Sequence, residues 1–320
     1  MIRTLFVFAA ITMSLSAAVT IQKASYGGWP NCYRITNGEV ELIVTTDVGP
    51  RVLRYSFVKG QNLFKEFQDQ LGKSGERTWQ PRGGHRLWMA PEHVPDTYAL
   101  DNSPAVAVVN GAVLEVTQPV EPETGLEKTI VVKLAAAGTD VEVLHRIKNT
   151  ATKARRFAPW ALTMMAQGGT GISGFPPRGT HPEVLAPTNP LVMWAFSDLS
   201  DTRWTFTKKY MMLRQDPGNT GQPQKLGLFN KDTFGAYLLG SDLFVKKYKA
   251  DPSKSYPDFG CSFETFTNAE FLELETLGPL ENVASGATVE HTERWTLHSN
   301  VKIASWTDAE LDRVLLPLVK

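Results

Sequence analysis

Polar and apolar residues alternate along most of this chain, and a period of two marks strands with one buried face. The pattern is plain in Glu39-Val40-Glu41-Leu42-Ile43-Val44 and, after a Gly49-Pro50 turn, from Arg51 to Phe57. It recurs at Ala105–Val109, Val113–Gln118, Lys128–Leu134, Val141–Lys148, Arg156–Met165, Leu191–Phe196, Phe234–Leu239, Leu243–Tyr248, Phe263–Thr267, Phe271–Thr276 and Val289–His298. Turn formers separate the runs, among them Asn37-Gly38 and Asn110-Gly111, which are hairpin signals. Many strands with few helical patterns predict an all-β sandwich.

One helix is legible. Thr307-Asp308-Ala309-Glu310 has the form of a capping box, and Leu311, Val314 and Leu315 follow at helical spacing. The stretch from Gly168 to Pro190 is rich in Gly, Pro and Thr and is expected to be a long loop.

Composition narrows the function. Apolar residues make up 42% and charged residues 21% of the 320, so the chain is globular. Arg3, the apolar run from Leu5 to Met13, and Ser16-Ala17-Ala18 form the pattern of a signal peptide over residues 1–18. Residues 19–320 are then expected to form a single domain in the periplasm or outside the cell. Lys+Arg and Asp+Glu are both 33, and losing Arg3 with the leader leaves 32 against 33. So balanced a chain has no general field for nucleic acid. Past the leader, no apolar stretch is long enough for a membrane-spanning helix. Two cysteines exclude a Cys-rich zinc site, and the sequence leaves open whether Cys32 and Cys261 pair. The oligomeric state is likewise open.

Candidate chemistry gathers in two segments. Gly83-Gly84-His85-Arg86-Leu87-Trp88 joins tight-turning glycines to a histidine, a rigid set of donors and a flat indole suited to a sugar ring. In Phe271-Leu272-Glu273-Leu274-Glu275-Thr276, Leu272, Leu274 and Thr276 face one way and Phe271, Glu273 and Glu275 the other. Two such carboxylates stand about 7 Å apart, a spacing that lets one act as a base while the other grips hydroxyls. His145 shares its strand face with Val141, Val143 and Ile147 and reads as a core histidine, whereas His291 and Glu293 share a face with Trp295. Arg51, Asp198, Arg203 and Tyr256, in or beside turns, complete a set suited to polyols. No P-loop, G-x-G-x-x-G, H-E-x-x-H or G-x-S-x-G motif occurs, and neither a cofactor nor a metal is expected.

The chain resembles a family of exported bacterial proteins of unknown function in the galactose-mutarotase-like, carbohydrate-binding group. The resemblance rests on Tyr33 to Gly38, Asp47 to Arg51, Gly83 to Trp88, His145 to Asn149, Ala158-Pro159-Trp160-Ala161-Leu162 and Phe271 to Leu280. It implies a β-supersandwich with a sugar site on one surface. It further implies proton transfer at an anomeric centre, as in aldose 1-epimerases, with Glu275 at the Leu-Glu-Thr position as base. The acid histidine of such enzymes should fall near Met164 and Met165, where this chain has none, and His85 from another strand is expected to substitute. Arg86, Trp88, Trp160 and Glu273 would position the ring. The alternatives are a polysaccharide lyase on the same fold, with Arg86 and Tyr256 as neutraliser and base, and a non-catalytic sugar-binding module.

Overall fold

The structure, a computed structural model, describes residues 18–231 and 234–319. The expected leader, Ala18 apart, lies outside the described residues.

Two antiparallel sheets stack face to face. In the first the strands run, in spatial order, Thr20–Tyr26, Trp29–Thr36, Val40–Thr45, Arg51–Phe57, His85–Ala90, Arg155–Met165, Leu272–Leu277, Phe263–Thr267, Gln224–Leu228 and Leu191–Met193, with Glu281–Val283 also on Arg155–Met165. In the second the order is Trp204–Phe206, Tyr210–Arg214, Thr170–Gly174, Phe234–Leu239, Asp242–Lys247, Thr288–His298, Val141–Asn149, Leu126–Leu134, Val113–Thr117 and Val106–Asn110. The expected all-β sandwich is thus present. Its core lies between the sheets, where Tyr55 and Phe64 of the first layer meet Phe244 and Trp295 of the second at ring separations of 5.5–6.1 Å.

Several strands lie at the expected bounds, among them Arg51–Phe57, Phe234–Leu239 and Phe263–Thr267. Strands without clear alternation went unpredicted. Thr170–Gly174 lies inside the expected long loop. It pairs on both sides, and a side chain at Gly171 would crowd Leu272 at 3.1 Å, so close packing rather than periodicity shapes it.

The helix spans Asp308–Leu315, with Thr307 Oγ1 accepting from Glu310 N. Only half of the expected capping box forms, because the Glu310 carboxylate accepts from Ala304 N at 3.0 Å instead. Leu311 and Leu315 pack with Ile172, Met212, Ala236 and Val245 on the second sheet's face away from the main core. Cys32 and Cys261 are buried free thiols. No helix among the described residues is long and apolar enough to cross a membrane.

Candidate functional site

Strand register decides which side chains meet. Trp160 is paired with Trp88 on one side and Leu277 on the other; Leu162 lies between Arg86 and Glu275; Met164 lies opposite Glu273. Because side chains alternate along a strand, Arg86, Trp88, Trp160, Glu273 and Glu275 all stand on the outer face of the first sheet. His85, Thr163 and Leu274, each one residue along, point between the sheets.

The outer face carries a hollow of about 400 Å³. Trp79, Trp88, Tyr98 and Trp160 form one wall: the Trp88 ring lies 5.3 Å from Trp79, 5.1 Å from Tyr98 and 5.4 Å from Trp160. Trp194, Phe196, Phe266 and Phe271 line it as well. Two cations sit against these rings. The Arg86 guanidinium is 4.2 Å from the centre of Trp88, and Lys225 Nζ is 4.8 Å from Trp160 and 4.6 Å from Trp194.

Each cation meets carboxylates. Arg86 Nη2 donates to Glu273 Oε1 at 3.2 Å. Lys225 Nζ lies 2.9 Å from Glu275 Oε2 and 2.8 Å from Glu264 Oε2, and Trp160 Nε1 donates to Glu275 Oε2 at 2.9 Å. Burial pushes the Glu273 carboxyl up to about 7; Arg86 opposes that rise and the Glu275 charge adds to it. Burial raises Glu264 as well, against the pull of Lys225. Burial alone would lower the Lys225 ammonium, but Glu264 and Glu275 together carry it above the usual lysine range. Glu273, 7% exposed, reaches the wall of the hollow, whereas Glu275 is fully buried beneath it.

The sequence-predicted residues therefore divide. Arg86, Trp88, Trp160 and Glu273 line the hollow and Glu275 lies behind it. His85 does not join them. It is fully buried, with Nδ1 2.8 Å from Thr163 Oγ1 and Nε2 2.7 Å from His145 Nε2, on the opposite side of the sheet from Glu275. Arg51 is buried too, donating to the carbonyls of Pro81 at 2.9 Å and Gly83 at 2.8 Å and pairing with Asp101. It shapes the turn that enters His85–Ala90 and does not line the hollow. Asp198 caps an exposed turn, accepting from Ser200 N at 2.9 Å. Arg203 pairs with Asp201 at 2.7 Å. The Tyr256 hydroxyl accepts from Asp251 N at 2.8 Å, and its ring packs on Phe229. These three hold loops, and none lines the hollow.

Between the sheets His85 belongs to a polar girdle with His145, His291, Glu293 and Lys246. Lys246 Nζ lies 2.8 Å from Glu293 Oε1 and donates to Thr163 Oγ1 at 3.0 Å and Leu274 O at 2.9 Å. Ligand atoms of His85, His145 and Glu293 fall within 4.8 Å of one another. The set does not fit a metal. Two imidazoles on one tetrahedral zinc would hold their nitrogens about 3.3 Å apart, and here they touch at 2.7 Å. The Lys246 ammonium already supplies Glu293 with its positive charge. His145 is the core histidine its strand face predicts.

Sequence reasoning missed Trp79, Tyr98, Trp194 and Lys225. All but Lys225 lie outside regular strands, and Gln224-Lys225-Leu226-Gly227-Leu228 is buried at every position, so no alternation marks it. The one available signal was Phe271, which shares its strand face with Glu273 and lines the hollow.

No family model matches this sequence. No curated protein matches it either. Solved structures do match in shape. The Slr1438 protein of Synechocystis sp. PCC 6803 is similar over 87% of this chain and 99% of its own, with TM-score 0.55 and 12% identity. A galactose mutarotase-like protein from Lactobacillus casei is similar over 84% of this chain and 100% of its own, with TM-score 0.53 and 12% identity. A galactose mutarotase related enzyme from Lactobacillus acidophilus is similar over 84% and 98%, with TM-score 0.54 and 8% identity. At such identities the likeness is one of fold, and the fold of this chain is galactose-mutarotase-like.

Proposed function

We propose that this protein binds a carbohydrate in the aromatic hollow, outside the cytoplasm. The observation that carries the reading is the convergence of Trp79, Trp88 and Trp160 with Arg86 and Glu273 on one concavity of the outer sheet face. Indole rings offer flat surfaces for the C–H faces of a sugar, and the Arg86–Glu273 pair offers a donor and an acceptor to its hydroxyls. The fold, shared with galactose mutarotase-like proteins, supports the same ligand class.

Recognition is favoured over turnover. Mutarotation needs one group to take the anomeric proton and another to protonate the ring oxygen, both within reach of the sugar. Glu275 is held by Lys225 and Trp160, and His85 lies across the sheet from it. The lyase alternative fares worse: Arg86 is already neutralised by Glu273, and Tyr256 is turned to a loop amide.

The test uses mature protein recovered from the periplasm or medium, whose first residue should be Val19. On a glycan array, Trp88→Ala should weaken binding by about tenfold or more while the fold is kept. Unchanged binding would move the site elsewhere, and a recovered chain starting at Met1 would remove the extracytoplasmic part of the reading.

A further inference from the structure

Acidic groups outnumber cations around the hollow. Arg86 and Lys225 are the cations at its wall. Against them stand five carboxyls. Glu273 pairs with Arg86, Glu264 and Glu275 pair with Lys225, Glu92 lines the rim, and Asp258 lies within electrostatic reach of Glu264, Lys225 and Glu275. The nearby Arg51 and Lys65 do not correct this, because each has its own partner, Asp101 and Glu270. Glu275 Oε1, moreover, is buried with no hydrogen-bond partner among the described residues.

We infer that the hollow selects a sugar carrying a positive charge, a ring with a free ammonium, over neutral and acidic sugars. The inference rests on the carbohydrate reading and names the class of sugar. Burial raises Glu273 and Glu264, so these acids give up protons as a cation enters, and beside apolar walls a cation gains more from them than a hydroxyl does. The electron-rich ring faces act in the same direction. A sugar carboxylate meets these acids unfavourably, and the charges of Arg86 and Lys225 already face Glu273, Glu264 and Glu275. Glu92, whose carboxylate accepts from the Tyr98 hydroxyl at the rim, is placed to meet the incoming ammonium first.

Calorimetric titration of the mature protein with glucosamine, N-acetylglucosamine, glucose, glucuronate and choline tests this, at about pH 7, where a sugar ammonium is still largely protonated and Glu273 is partly ionised. Glucosamine should bind about tenfold or more tighter than glucose. N-acetylglucosamine, equally bulky but uncharged, should behave like glucose, and glucuronate should bind weakest. Added salt should shrink the preference. Glu273→Gln removes a carboxylate and releases Arg86, so it should lower glucosamine affinity and raise that for glucuronate. If that buried variant does not fold, Glu92→Gln at the rim should still reduce the preference. Glucose binding as well as glucosamine, or glucuronate binding best, overturns the charge inference and leaves carbohydrate recognition standing. Choline binding with no sugar bound does the reverse, and no binding of any probe overturns both.

Discussion

Glu273 and Glu275 are two residues apart on one strand face, yet they hold different stations. Glu273 meets a guanidinium at the wall of the hollow, while Glu275 meets an ammonium and an indole N–H beneath it. Neighbouring strands set the difference: Met164 lies opposite Glu273, and Glu275 sits between Leu162 and Glu264. Lys225 is the residue on which this buried group depends. Its ammonium stands between two carboxylates, and among the described residues no other cation pairs with either. Lys225→Met should therefore cost about 3–5 kcal/mol, since removing one partner from a buried ion pair leaves uncompensated charge. Urea unfolding measures it, and a loss near zero would show that the carboxyls simply take up protons.

At the scale of elements, the wall of the hollow depends on how His85–Ala90 enters the first sheet. Gly83 and Gly84 have φ of 79° and 70°, a region open to glycine. A Cβ on Gly83 would lie 2.0 Å from Lys65 O, and one on Gly84 2.4 Å from Val52 O. The strand is therefore delivered by a backbone crossing that admits no side chain, and Arg51 clamps the approach through the Pro81 and Gly83 carbonyls. Gly84→Ala should destabilise the fold by about 2 kcal/mol or more and shift Trp88, both through the backbone clash. Denaturation and tryptophan fluorescence read the two effects. A variant as stable as the parent would mean that the crossing has slack.

Across the whole molecule, the sheets are joined by polar contacts as well as by apolar packing. His85 to His145, Thr276 to His291, and Lys246 to Thr163 each cross from one sheet to the other. Burial holds His85 and His145 below the ordinary imidazole range and His291 down to about 3. The folded state thus keeps these rings neutral while the unfolded chain protonates them near 6.5. Between those values the unfolded state binds more protons, so their contribution to stability is lost as pH falls below about 6.5. His291→Gln should flatten that fall in urea-midpoint measurements, and parallel pH profiles would count against it. Much of the fold could be read beforehand. Alternation along Val141–Asn149 reports a buried face directly, because the pleat has period two and burial follows it. The opposite faces of Glu273 and Leu274 followed from the same rule. What lay opposite each face did not. Alternation says that His85 and Arg86 point apart, but not which of them meets water and which meets the second sheet. Here His85–Ala90 is buried at every position, so nothing local distinguishes the two faces. Trp79, Trp194 and Lys225 come from a loop, a strand-end turn and a fully buried strand, more than a hundred residues apart in the extreme case, and only strand order brings them together. Local sequence determined the strands, their faces and the aromatic and acidic character of the site. The tertiary structure decided which acid is presented and which histidine is withdrawn, because register and layer order are settled by contacts between segments that carry no mark of one another.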